Sequence, residues 1–214
     1  MMKTEDLVSL LAAGVPAVDH NVLAKRFSWA MLSGVVGSAV LMAIVFGVRP
    51  DIGTVVKTPL FWIKVALPLC LALAALLVTA RLSRPGMPVG RAWAGLAAPV
   101  LTVWIATLVL LWLTPPDARL PLILGRTWRV CPLNIALLSV PAFIAVFWAM
   151  RGLAPTRPKL AGAAGGLLAG ATATVAYCFH CPEMAAPFWA VWYLLGMLIP
   201  TLAGAALGPQ LLNW

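Results

Sequence analysis

Acidic side chains are nearly missing from this sequence. Glu5, Asp6, Asp19, Asp51, Asp117 and Glu183 are the whole set, beside two histidines, His20 and His180, in 214 residues. None of these groups falls inside a long apolar run. The chain therefore has no intramembrane carboxylate relay of the kind ion-coupled transporters use, and no histidine placed to hold a haem between helices. It also lacks a P-loop, a Rossmann glycine pattern, an HExxH zinc motif and a GxSxG nucleophile elbow. No inverted repeat is visible. These absences argue against ordinary enzyme or transporter chemistry, and the expectation is a protein that is not an enzyme.

What the chain has in excess is apolar surface: 63% of its residues are hydrophobic and the mean hydropathy is +0.99. A soluble domain of this size has nowhere to bury so much, so the solvent is largely lipid. A spanning helix needs about 20 apolar residues, and six segments qualify, at roughly 28–48, 60–80, 93–113, 130–150, 160–178 and 188–207. The expected fold class is all-α, a polytopic membrane protein. Residues 28–214 form a bundle of six transmembrane helices, and residues 1–27 a short cytoplasmic amphipathic segment. The first apolar run begins near Ser28 and is too long for a signal-peptide core. Lys64 is the one formally charged residue inside any span, and its stem is expected to snorkel to the interface.

The basic residues give a direction. Lys3, Lys25, Arg26, Arg81, Arg84, Arg91, Arg151, Arg157 and Lys159 fall on one side, against Arg49, Lys57, Arg119, Arg126 and Arg129 on the other. The positive-inside rule then puts both termini in the cytoplasm. The net charge of +9 sits in these loops. It favours contact with anionic headgroups of a lipid bilayer over direct nucleic-acid binding, since no arginine–aromatic array appears on a soluble segment.

At the start, Thr4 is expected to cap a helix whose first turn carries Glu5 and Asp6, a favourable placement at the positive end of the helix dipole. Leu7, Leu10 and Leu11 then share one face, and Gly14 with Pro16 stops the helix. A second amphipathic piece is expected from about Val18 to Phe27. A helix this short is marginal in water and needs something to pack on, either headgroups or a cytoplasmic partner. In the spans, Gly162, Gly166 and Gly170 form a GxxxGxxxG run, echoed by Ser33/Gly37, Gly34/Ser38 and Gly204/Gly208. Close packing inside one bundle is the favoured reading, ahead of dimerisation. Pro68, Pro99, Pro141 and Pro200 are expected to kink their helices.

There are four cysteines. Cys70, in mid-span, reads as a small buried hydrophobe. Cys131, Cys178 and Cys181 reach the same membrane surface if the helices alternate in direction. Cys131 and Cys181 each precede a proline, a residue favoured at the first helical position, which would set the cysteine at a cap where thiolate is stabilised. Cys178 and Cys181 make a CxxC. Three uses stay open: a structural disulfide, a thiol switch or metal sensor with His180 or Glu183 as a further ligand, or incidental cysteines. A soft metal ion is the one cofactor class these residues admit. Two other functions compete with a regulator: a membrane thiol oxidoreductase passing electrons from Cys178/Cys181 to a quinone, and a soft-metal transporter.

Taken together, MKTEDLVSLLA (Met2–Ala12), the six spans, RVCPLN (Arg129–Asn134) and FHCPEM (Phe179–Met184), leading into FWAVWYLLGMLIPTLAGAALGP, resemble the NrsF-type bacterial membrane anti-sigma factors. Those proteins restrain extracytoplasmic-function sigma factors. The resemblance covers essentially the whole chain, and the two Cys-Pro dipeptides are its most specific element. It implies a bacterial inner-membrane protein whose N-terminal segment, centred on Thr4, Glu5, Asp6, Leu7, Leu10 and Leu11, holds a sigma factor. It implies that Cys131 and Cys181 are the periplasmic pair sensing heavy metal or oxidative stress. Cys178 is not part of the pattern and offers Cys181 a second neighbour.

Overall fold

The structure, a computed structural model, describes residues 3–13 and 21–212. The described residues hold helices and no strand. Six helices are long and apolar enough to cross a membrane: α2 Val22–Val45, α4 Pro59–Leu82, α5 Ala92–Leu113, α7 Cys131–Met150, α8 Pro158–Tyr177 and α9 Ala186–Leu211. Three short helices complete the set: α1 Thr4–Ala12, α3 Ile52–Val55 and α6 Pro116–Leu124. This is an all-α membrane protein. Pro68, Pro99, Pro141 and Pro200 all lie inside continuous helices, as a bundle can allow where neighbours satisfy the freed backbone groups.

α8 is the centre of the bundle, packed against α9, α7, α4 and α2. It can sit there because of its glycines. A Cβ on Gly162 or Gly166 would collide with the backbone of Gly204 or Pro200 on α9, and one on Gly170 would meet Pro200 and Met197. The small-residue repeat therefore serves packing within the chain. The first span uses the same device more loosely. Gly34 lies against Ala142 and Gly37 against Pro141 of α7, and the Ser38 hydroxyl donates to the Leu138 carbonyl at 2.9 Å. α5 stands at the edge, with Leu108, Trp112 and Leu113 turned outward, a surface that suits lipid.

The helices alternate in direction, so the bundle has two unlike ends. At one, the start of α2 meets the end of α7, where Arg26 donates to the Arg151 carbonyl at 3.0 Å. Arg81, Arg84, Arg91, Arg157 and Lys159 belong to the same end by chain order. At the other end the α2–α4 connection, the α5–α7 connection and the segment between α8 and α9 come together.

Several sequence expectations are corrected. α2 starts at Val22, ahead of Ser28, because Lys25 and Arg26 sit on its exposed first turns rather than ending the helix. The N-cap of α1 is Lys3, so Thr4 is the first helical residue; Glu5 and Asp6 occupy the first turn as expected. The stop at Gly14 and Pro16, and the stretch from Val18 to His20, lie outside the described residues. The third loop carries α6, which proline and arginine had disguised. Cys70 is exposed: it opens into an apolar groove of about 520 Å³ between α4 and α5, shared with Gly95, Pro99 and Trp189. Lys64 does not snorkel. Its side chain is fully buried.

Candidate functional site

The segment after α8 is where the chemistry gathers. Tyr177 closes the helix and its carbonyl accepts the amides of His180 and Cys181 at 3.0 and 2.9 Å. This tight turn sends Cys178 and Cys181 back toward the core. Residues 181–185 then run without regular structure to the start of α9. Cys131 comes from the first turn of α7, Tyr193 from a π-helical turn, Trp189–Tyr193, near the start of α9. Cys131, Cys178 and Cys181 are free thiols, and all three are fully buried.

These sulfurs share one neighbourhood. Cys131 interacts electrostatically with Cys181, Cys178, Lys64 and Tyr177, and Lys64 with all three cysteines. The Lys64 ammonium donates to the Cys181 carbonyl at 2.6 Å, and Arg49 Nη1 donates to the same oxygen at 3.3 Å. Lys64 also lies 5.9 Å from the centre of the Tyr193 ring. The Tyr193 hydroxyl is buried among the thiols with no partner in hydrogen-bonding geometry. Burial pushes the Cys178 thiol up to about 12, against the pull of Lys64, so this sulfur rests as the thiol. The cap expected at Cys131 is displaced by one residue: Val130 is the N-cap, and Cys131 and Pro132 are the first helical positions.

The surrounding loops close over the cluster. Arg49 forks onto Asp51 with bonds of 2.6 and 2.7 Å, which holds the Asp51 carboxyl below its usual range and raises the Arg49 guanidinium. His180 turns toward the α2–α3 connection: its Nδ1 lies 2.9 Å from the Gly47 carbonyl oxygen, so that nitrogen carries the proton. Its ring packs on Phe46 and Tyr177. Glu183 accepts the Arg126 amide at 2.7 Å. Gly125, with φ +56° and ψ −161°, a backbone region restricted to glycine, sits so close that a Cβ would strike Glu183 and Phe188. Trp192 donates to the Ile123 carbonyl at 2.8 Å and packs on Trp128. Among the described residues no group of three or more His, Cys, Asp or Glu is arranged to hold a metal ion. A soft ion would have to bind to fewer protein ligands or to a rearranged cluster.

The family described as "Negative regulator of sigma F" matches residues 11–214. The chain belongs to the NrsF family. Two relatives align with it over their full length and its own: the "Probable anti-sigma-F factor NrsF" of Azospira oryzae at 49% identity, and the "Anti-sigma-F factor NrsF" of Caulobacter vibrioides at 38%. No solved structure matches it.

In this NrsF-family chain the N-terminal residues singled out from sequence form a separate patch. Leu7, Leu10 and Leu11 are 45%, 65% and 69% exposed on α1, beside Glu5 and Asp6. The family match starts at residue 11 and so covers only the end of that helix. Sequence reasoning missed Lys64, Arg49 and Tyr193 as members of the thiol site. A signal existed for Lys64: it is the single charge in the apolar runs read from the sequence. Arg49 and Tyr193 are brought in by folding alone.

Proposed function

We propose that this protein is a membrane anti-sigma factor. Its N-terminal segment holds an extracytoplasmic-function sigma factor at the cytoplasmic face of the bacterial inner membrane. Modification of Cys131 and Cys181 by a heavy metal or an oxidant on the periplasmic side releases it. Both relatives carry anti-sigma-F names, and the basic residues favour cytoplasmic termini.

The observation that carries the reading is the separation of two unlike features. The thiols gather where α7 starts and α8 ends, while the chain leads from α1 into the opposite end of the bundle, at Val22. α1 supplies four exposed apolar side chains, Leu7, Val8, Leu10 and Leu11, on a helix too short to be stable without a partner. Signal and grip are joined by helices packed through glycines, whose rearrangement need shift the balance little: about 1.4 kcal/mol changes partner affinity tenfold.

The test is co-purification. A chain lacking residues 1–27 loses the sigma factor, and retention overturns the grip assigned to this segment. Cys131→Ser and Cys181→Ser each abolish release by cadmium or diamide, and normal release in both removes their role.

A further inference from the structure

Lys64 has no part in the function as proposed so far, yet its position is costly. A buried ammonium loses several kcal/mol of hydration unless something compensates for it, and an ionisable residue inside a span marks a functional position. Among the described residues no carboxylate is ion-paired with Lys64; the described ion pair joins Arg49 to Asp51. Lys64 instead faces Cys131 from α7, Cys178 from the end of α8, Cys181 from the following loop, the Tyr193 ring from α9, and Arg49 from the α2–α3 connection, with Asp51 behind it. The Tyr193 hydroxyl is a further buried polar group, lying among the sulfurs of Cys178 and Cys181.

Among the described residues the one hydrogen bond of Lys64 falls on the residue that most needs fixing. Residues 181–185 have no helical ladder, so their place is set by side chains from elsewhere. Lys64 and Arg49 hold the Cys181 carbonyl, and Trp189 Nε1 donates to the Glu183 carbonyl at 3.2 Å. Arg49 has its charge met by Asp51. Lys64 faces the sulfurs instead, with no carboxylate ion-paired with it among the described residues.

We propose that Lys64 is the positioning residue of the thiol cluster: it seats Cys181 against Cys131 and carries the counter-charge for the sulfur that attacks an oxidant. This rests on the sensing role given to the cysteines above. With a diazene oxidant such as diamide, the first thiol adds across the N=N bond and its proton passes to the second nitrogen. The second sulfur then attacks the first, the S–N bond breaks, and the hydrazine leaves with the second proton. Two thiols have given two electrons to the diazene and formed one disulfide. In each attack negative charge develops on a sulfur shut away from water, and a fixed ammonium beside it lowers that cost.

The experiment uses the full chain in lipid nanodiscs with no sigma factor present. Disulfide formation by diamide is quenched at intervals and mapped by mass spectrometry. Lys64→Met and Lys64→Gln slow the cluster by about tenfold or more, as loss of a preorganised charge does elsewhere, and Lys64→Arg retains most of the rate. Lys64→Met and Lys64→Gln oxidising at the wild-type rate overturns the proposal. Where Lys64→Met fails to fold, Lys64→Gln, which still offers an N–H to the Cys181 carbonyl, decides alone. Slow oxidation in the Lys64 variants of a protein whose sigma factor ignores diamide overturns the sensing reading and leaves the role of Lys64 standing.

Discussion

The Lys64 ammonium and the Cys181 carbonyl oxygen, 117 residues apart in the chain, meet at 2.6 Å inside the bundle. This bond ties the second span to the loop that carries a thiol. A buried charge kept for such a purpose is poor value for stability, since an apolar side chain of similar length fills the space without losing hydration. Lys64→Met is therefore expected to leave the unfolding temperature in detergent unchanged or higher, with Arg49 still holding the carbonyl. A marked fall would make Lys64 a structural anchor.

The α8–α9 contact has no room for side chains. Gly166→Val drives a side chain into the Pro200 backbone, and overpacking against backbone is expected to cost at least about 3 kcal/mol. Nothing lies within 4 Å of a Cβ on Gly53, so Gly53→Ala is neutral or slightly stabilising. Thermal unfolding of the two purified variants checks the contrast.

Glu183 latches the third connecting loop over the thiols through the Arg126 amide. Glu183→Ala loosens that cover, and labelling of Cys131, Cys178 and Cys181 by a membrane-impermeant maleimide speeds up. The expected gain is roughly tenfold, equivalent to about 1.4 kcal/mol for a lost charge-assisted hydrogen bond. Unchanged labelling would show that reagents enter by another route.

The Arg49–Asp51 pair gives the cover a defined acid limit. Hydrogen bonds from Arg49 lower the Asp51 carboxyl. The pair's contribution is thus fully present above the unfolded value near 3.9 and is lost only as pH falls through the lower folded value. The 13C carboxyl signal of Asp51 should titrate below 3.9 in the native protein and move up in Arg49→Gln. A midpoint at the ordinary value in both would mean the pair is not formed.

The six spans were legible because lipid demands long apolar runs, and glycine spacing showed which helix packs closely. Which side of a helix faces inward was not legible. In a soluble protein polarity marks the outer face, but here both faces are apolar, and Cys70 read as buried while it faces a groove. Lys64 read as snorkelling because its partner, a backbone carbonyl in a distant loop, has no sequence signature. His180 or Glu183 stood open as a further ligand for a soft metal, and the structure gives the Glu183 carboxylate a backbone amide that sequence does not announce. That Cys131, Cys178 and Cys181 share one end of the bundle was legible from topology, since alternating helices bring the start of α7 and the end of α8 there; their clustering in the core was set by packing that spacing does not encode.

The central claim, that chemistry at Cys131 and Cys181 frees a partner held at the far end of the bundle, is tested by one pull-down. Membranes carrying the wild-type chain and a Cys131→Ser/Cys181→Ser double variant, each with its bound sigma factor, are treated with diamide or cadmium, and the retained sigma factor is quantified. The account predicts release from the wild type and full retention by the double variant. Equal release from both, or retention by both, would contradict it.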